Sequence, residues 1–321
     1  MANTTKPMTR TPSTVASGII DRIGNTPLVE LRTLPRPGAP VTILAKLEWY
    51  NPGGSVKDRA ALNMIREGER SGELTKDKTI LDATSGNTGI GYAMVGAALG
   101  YRVKLALPLN VGEVHKRILT SYGAGLVFTD PQRGSDGAIE KAHELFELDP
   151  AQYFYPDQYN NPANWQAHYH GTAAEIIRQT GGDFTHLVAG LGTSGTFMGI
   201  ARRVREYNPA IKLISVQPVS PMHGLEGMKH MPTSIVPGIY DDSVADENVW
   251  VQTEDAYAMI RLVARQEGML IGPSAGAVLS MAVEIAKRLK SGRIVVVLPD
   301  GAHKYIGQPY WKDIANGDHA D

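Results

Sequence analysis

Asn51-Pro-Gly-Gly-Ser-Val-Lys-Asp-Arg59 is the stretch on which the reading of this chain turns. Asn-Pro-Gly-Gly is a turn, and Ser55 is placed to cap a helix that begins just after it. Lys57 then falls in the first helical turn, where the positive helix end and a buried site would both favour the free amine. A lysine after a glycine turn, taken alone, reads as a solvated surface residue. Three further segments change that reading.

Thr84-Ser-Gly-Asn-Thr-Gly-Ile90 follows an apolar run and opens a helix. Backbone amides at a helix start, with hydroxyls beside them, make a carboxylate site. Asn87 adds an amide able to bond a ring oxygen. The plainer alternative for this motif in isolation is a polar structural turn.

Gly190-Leu-Gly-Thr-Ser-Gly-Thr196 matches G-x-G-x-x-G after another apolar run, a pattern that a dinucleotide fold would share. However, Ile214-Ser-Val-Gln217 ends in glutamine where such a fold places an acid, and Thr193, Ser194 and Thr196 suit a phosphate monoester better than a pyrophosphate. In Gly272-Pro-Ser-Ala-Gly276, Ser274 could bond a pyridine nitrogen. A neutral hydroxyl there leaves that nitrogen unprotonated, which suits β-elimination better than transamination. One lysine on a turn and two anion loops describe a phosphorylated carbonyl cofactor. Pyridoxal 5′-phosphate is the cofactor that needs both.

The chain has 321 residues, enough for a large core and two lobes. A hydrophobic fraction of 42% and a charged fraction of 20% are those of an ordinary soluble globular protein. A net charge of −1 without a basic block gives no support to a nucleic-acid or anionic-membrane partner. The absence of cysteine excludes disulfides, thiolate zinc sites and a cysteine nucleophile, and fits a cytoplasmic location. No apolar run approaches the roughly 20 residues of a membrane span.

Strand-like runs are expected at 41–47, 79–84, 103–107, 125–129, 186–190, 212–217, 249–253 and 293–299, with helical patterns at 56–70, 88–99, 113–122, 135–148, 164–180, 195–207, 254–267 and 275–290. This alternation, with several continuously apolar strands, predicts an α/β protein with largely parallel sheets. Residues 1–18 read as a flexible arm; their Ser/Thr-rich, acid-free composition is also that of a transit peptide. Residues 316–321 read as a loose tail. The Pro/Asn-rich stretch 155–162 is the best domain boundary, and the long irregular segment 218–242 is expected to be functional.

Together these segments resemble the cysteine synthase branch of the fold-type II, tryptophan-synthase-β-like family of pyridoxal-phosphate enzymes. The resemblance runs from Ile23-Gly-Asn-Thr-Pro-Leu-Val29 to about Tyr305. Lys46-Leu-Glu48, Gly53-Gly-Ser-Val-Lys-Asp-Arg59 and Ile235-Val-Pro-Gly-Ile-Tyr-Asp241 look more like the B-type enzymes than the A-type. It implies two lobes, each a mostly parallel sheet flanked by helices: a large cofactor-binding domain (19–48 plus 156–315) and a small mobile domain (49–155). It also implies roles. Lys57 bonds the cofactor and serves as the base for the substrate α-proton, Asn87 contacts the phenolic oxygen, and Thr84, Ser85, Asn87 and Thr88 grip the substrate carboxylate. Gly192, Thr193, Ser194, Gly195 and Thr196 hold the phosphate, and Ser274 faces the ring nitrogen.

The reaction so implied is β-replacement of O-acetyl-L-serine or O-phospho-L-serine by sulfide or thiosulfate, carried out by a cytoplasmic homodimer. Some B-type enzymes carry arginines near positions 229–230. Here the pair is Lys229-His230, so Lys229 is a candidate substrate-binding cation, with a solvated loop lysine as the alternative. Asp300 either orients the ring-binding serine or forms a turn. His168, His170, His223, His230 and His303 show no ligand spacing, and no metal is assigned. The same loops would serve cystathionine β-synthase, β-cyanoalanine or diaminopropionate synthase, or a serine/threonine dehydratase. An NAD-dependent dehydrogenase using Gly190–Gly195 is a remoter alternative.

Overall fold

The computed structural model describes residues 16–311 except Pro37, Ser85 and Pro309. The arm before residue 16 and the tail 316–321 lie outside the described residues. Two sheets organise the chain. The larger runs in the order β1-β2-β10-β7-β8-β9, formed by β1 (Leu28–Glu30), β2 (Val41–Leu47), β7 (His186–Gly190), β8 (Lys212–Pro218), β9 (Glu247–Val251) and β10 (Gly292–Leu298). Its strands are parallel except β1, which pairs antiparallel with β2 at the edge. The smaller is wholly parallel, in the order β5-β4-β3-β6: β3 (Thr79–Ala83), β4 (Arg102–Pro108), β5 (Gly125–Thr129) and β6 (Tyr153–Phe154).

The continuous apolar run of β10 is explained by helices on both faces of the large sheet. Ile294, Val296 and Leu298 pack with α8 (Thr253–Gln266) and α9 (Pro273–Arg288). Val295 and Val297 pack with α6 (Ala173–Thr180) and α7 (Gly195–Tyr207). A strand alternates its side chains, so burial on both sides requires apolar residues at every position. The small sheet repeats this arrangement. Leu105 and Leu107 face α1 (Lys57–Ser71), α2 (Asn87–Leu99) and α3 (Glu113–Ser121), while Ala106 faces α4 (Gly134–Leu148).

Four departures from the sequence expectation have local causes. Strands β1 and β6 span only 3 and 2 residues, too few to carry a period. Strand β9 ends at Val251, because Gln252 is the extended cap of α8. The single helix expected over 164–180 is α5 (Pro162–Ala167), a π-helical turn (His168–Thr172) and α6. That wider turn lets buried His168 reach the Thr172 hydroxyl at 3.0 Å and the Thr196 hydroxyl at 3.4 Å. His168 is therefore a packed interior residue.

Parallel strands bring the starts of their following helices to one edge. Helix α2 follows β3 and α7 follows β7, while the Lys57 turn and the start of α9 are both tied to the end of β10. Val56 N–H donates to Pro299 O at 2.8 Å, and Gly272 N–H donates to Asp300 O at 3.1 Å. Four helix N-termini thus converge on one place.

Candidate active site

Each residue of the lysine turn has a structural task. Asn51 Nδ2 donates to Glu48 O at 2.8 Å, and its Oδ1 accepts from Gly24 N–H at 2.8 Å. Gly54 N–H closes the turn on Asn51 O, also at 2.8 Å. Asp58 turns back to accept from Gly53 N–H, and a Cβ at Gly53 would lie 2.5 Å from that carboxylate. Ser55 Oγ accepts from Lys57 N–H at 3.2 Å, and Ser55 bridges antiparallel to Asp300. Lys57 is left half-buried at the first position of α1, lining a cavity between the two sheets. Burial lowers its amine to about 8, against the attraction of the nearby Asp300 carboxylate.

On the facing loop, the Thr84 hydroxyl accepts from Gly86 and Gly89 N–H, both at 3.0 Å, and so caps α2. It is not among the residues lining the cavity. Ser85 lies outside the described residues. Gly86 has φ +152°, and a Cβ there would meet the His115 ring at 2.9 Å, so only glycine suits. Asn87 and Thr88 both line the cavity. Asn87 Nδ2 donates to Asp300 Oδ2 at 2.7 Å and to Tyr305 OH at 3.1 Å, leaving its buried Oδ1 without a partner. Thr88 Oγ1 donates to Gln158 Oε1 at 2.8 Å.

The loop between β7 and α7 contributes Gly190, Gly192, Thr193 and Thr196 to the same cavity. Ser194 holds a left-handed backbone, φ +67°, and its buried hydroxyl has no partner. Strain of this kind in a non-glycine residue marks functional loops. A Cβ at Gly192 would lie 2.2 Å from Gly227 O, and one at Gly195 would lie 2.1 Å from Asn164 Oδ1. Asn164 Nδ2 in turn donates to Thr193 Oγ1 at 3.1 Å. Ser274, in the first turn of α9, lines the cavity from the opposite wall.

Lys229 lines the cavity too, but it is 6% exposed rather than solvated. Its Nζ donates to Asp136 Oδ1 at 2.7 Å and to Ile235 O at 3.3 Å, and it lies over the Tyr159 ring. Asp136 belongs to α4 of the small sheet, so this pair joins the two sheets across the cavity mouth. Asp300 acts on Asn87 and Tyr305 and braces Gly272; no bond to Ser274 is present.

His115, Ser135, Gln158, Tyr159, Glu226 and Tyr305 also line the cavity and carry no motif. Burial lowers the His115 imidazole to about 4, with Lys304 acting in the same direction. Burial raises the Glu226 carboxyl to about 7, with Asp300 adding to the effect. Glu226 lies inside the irregular segment 218–242, which was expected to be functional, but the residue itself was not singled out. Nothing in the sequence around His115 sets it apart.

These residues fit pyridoxal phosphate. A lysine with a depressed pKa, a glycine loop too crowded for any Cβ, an unpartnered buried Ser194 hydroxyl and four helix N-termini match a phosphorylated aldehyde. The fold and this donor set define a pyridoxal-phosphate-dependent enzyme. In agreement, the family model described as "Pyridoxal-phosphate dependent enzyme" matches residues 19–300, and the chain belongs to that family. It is 50% identical to the cysteine synthase of Aquifex aeolicus, over 92% of each chain. It is 39% identical to cysteine synthase B of Escherichia coli, over 88% of this chain and 92% of the relative. The solved O-acetylserine sulfhydrylase isoform 3 of Entamoeba histolytica superposes with a TM-score of 0.87 at 34% identity, over 99% of this chain and 97% of that one.

Proposed function

We propose that this enzyme is a cysteine synthase of the transferase type, replacing the β-substituent of O-acetyl-L-serine or O-phospho-L-serine with sulfide or thiosulfate. The observation that carries the reading is Lys57. It stands on a turn braced by β10, in a cavity that also gathers Asn87, Thr88, Gly192, Thr193, Thr196 and Ser274. The 50% identity to a cysteine synthase supports it over the other β-replacement enzymes and over a dehydrogenase.

Bound pyridoxal phosphate supplies an electron sink for charge developing at the substrate α-carbon. Lys57 Nζ would hold the cofactor through its aldehyde, and its amine is the base available to take the substrate α-proton and later return it. An amine pKa of about 8 suits both directions of transfer near neutral pH. The amides at the start of α2, with Ser85, Asn87 and Thr88, bind the substrate carboxylate; Thr84 acts from behind by capping that helix. The 192–196 loop would hold the phosphate, and Ser274 would serve the ring nitrogen. The small domain, 49–155, moves against the rest to exclude water. The enzyme works in the cytoplasm as a homodimer, which sedimentation of the purified protein tests.

The functional test is incubation of purified enzyme with O-acetylserine or O-phosphoserine, each with sulfide or thiosulfate, beside a Lys57→Ala control. Sulfide should yield free cysteine and thiosulfate its S-sulfonated form; the lysine variant should yield neither and lack the cofactor's visible absorption. A wild-type protein that forms no product from either ester overturns the reading.

A further inference from the structure

Resting on that reading, a second proton has to be accounted for. The α-proton is taken and returned by one lysine, so it cancels over the cycle. When a protonated sulfur donor, hydrogen sulfide or a thiol, replaces the ester, its S–H proton does not cancel; an ionised donor such as thiosulfate brings none. Ester plus thiol gives thioether, carboxylate and one proton, and that proton needs an acceptor near the β-carbon and a way out.

Among the described residues lining the inner cavity, Glu226 is the only carboxyl. Among the described residues its carboxyl makes no hydrogen bond or ion pair, unlike that of nearby Asp300, which is engaged by Asn87 and Tyr305. It also lines a second, wider cavity that opens outward past Arg133, His223, Gln308 and Tyr310. The two cavities share Ser135 and the run from Glu226 to Lys229, so Glu226 stands at the throat between them. The titratable groups around it are Asp300 after β10, Tyr305 and Tyr310 beyond that, and Tyr257 of α8. Lys57, His115 and Lys229 complete the inner wall.

We propose that Glu226 is a catalytic residue: its carboxylate accepts the proton of the incoming thiol as sulfur bonds to the substrate β-carbon, and releases it to the outer cavity. A sulfur lone pair forms the S–C bond, the S–H pair stays on sulfur, and the proton passes to a Glu226 oxygen. The ester's carboxylate has by then left with the C–O pair, and Lys57 returns the α-proton separately. The alternatives in the cavity are weaker acceptors. Lys229 is committed to Asp136, and a His115 held at about 4 is a poor base for a neutral sulfur donor. A carboxyl near 7 is better matched.

The test separates the two half-reactions of the holoenzyme by chemistry. Acetate released from O-acetylserine without thiol reports the first, and consumption of 2-mercaptoethanol by the acetate-depleted enzyme reports the second. In Glu226→Gln the thiol half-reaction should slow about 100-fold at pH 7. The deficit should shrink towards pH 10, where the thiol arrives ionised, and Glu226→Asp should recover part of the rate. Infrared titration of the cofactor-free protein should show a carboxyl titrating near neutral pH that Glu226→Gln lacks. A variant matching wild type in the thiol half-reaction overturns the proposal, as does an equal loss in both half-reactions at every pH. A wild type inert towards the ester overturns the underlying functional reading, and this proposal with it; a competent wild type matched by Glu226→Gln overturns this proposal alone.

Discussion

At Lys57, burial and function pull the same way, and stability pulls the other. Its amine is held near 8 in the fold, below the roughly 10.4 of an unfolded chain. The folded state therefore binds fewer protons between those values, and stability rises with pH across that window. Below about pH 8 the full penalty of a buried ammonium applies. Lys57→Met should stabilise the cofactor-free protein by on the order of 2 kcal/mol at pH 7, after discounting for cavity water. Urea melts at pH 7 and pH 10.5 check this: the gain should fade at the higher pH, and equal stability at pH 7 would refute it. The motif made Lys57 conspicuous, because turn residues and a helix start are local features. Glu226 and His115 have no local signature, since their position in the cavity comes from contacts far along the chain.

Among the elements, α4 and the irregular segment 218–242 depend on each other through one side chain. Asp136 accepts from Lys229 Nζ at 2.7 Å and from Ile235 N–H at 3.0 Å, fastening that segment over the cavity mouth. Asp136→Ala leaves Lys229 enclosed without its counter-charge and frees the Ile235 amide. Amide exchange at Ile235 should accelerate at least about tenfold, with kcat/KM falling by a similar factor as closure weakens. Exchange as slow as wild type would show that the segment is held elsewhere. The length of 218–242 hinted at function, but its partner on α4 could not be read from it. An ion pair between positions 93 residues apart leaves no trace in either local pattern.

Across the whole molecule, a buried ionic cluster sets α1 against the large sheet. Arg59 binds Glu48 at 2.7 Å and Glu175 at 2.7 Å, and Glu175 also binds Lys46 of β2 at 2.7 Å. Burial alone would raise the Glu175 pKa, but Arg59 and Lys46 hold it at about 2. A depressed carboxylate contributes stability that is present above its unfolded pKa and lost as pH falls through its folded one. The wild type should therefore lose stability progressively from about pH 4.5 to pH 2. Glu175→Gln should cost about 3 kcal/mol at pH 7 and flatten that acid limb. Chemical denaturation at pH 7 and pH 3 tests both; an unchanged acid limb would remove Glu175 from the account.

The alternation of apolar runs with helical patterns determined the α/β class. The Gly-rich turns located the loops, because a strand buried on both faces and a helix start with close backbone approach each constrain the residues on the spot. Lys57, Asn87, Thr88, Gly192, Thr193, Thr196, Ser274 and Lys229, all singled out from sequence, meet in one cavity. Only the tertiary structure decided that the Thr84 hydroxyl caps α2 and that Lys229 is tied to Asp136. It alone placed His115 and Glu226 in the same cavity as the lysine. Those outcomes depend on which side chains the two sheets bring within a few ångströms of each other, and sequence spacing carries no information about that distance.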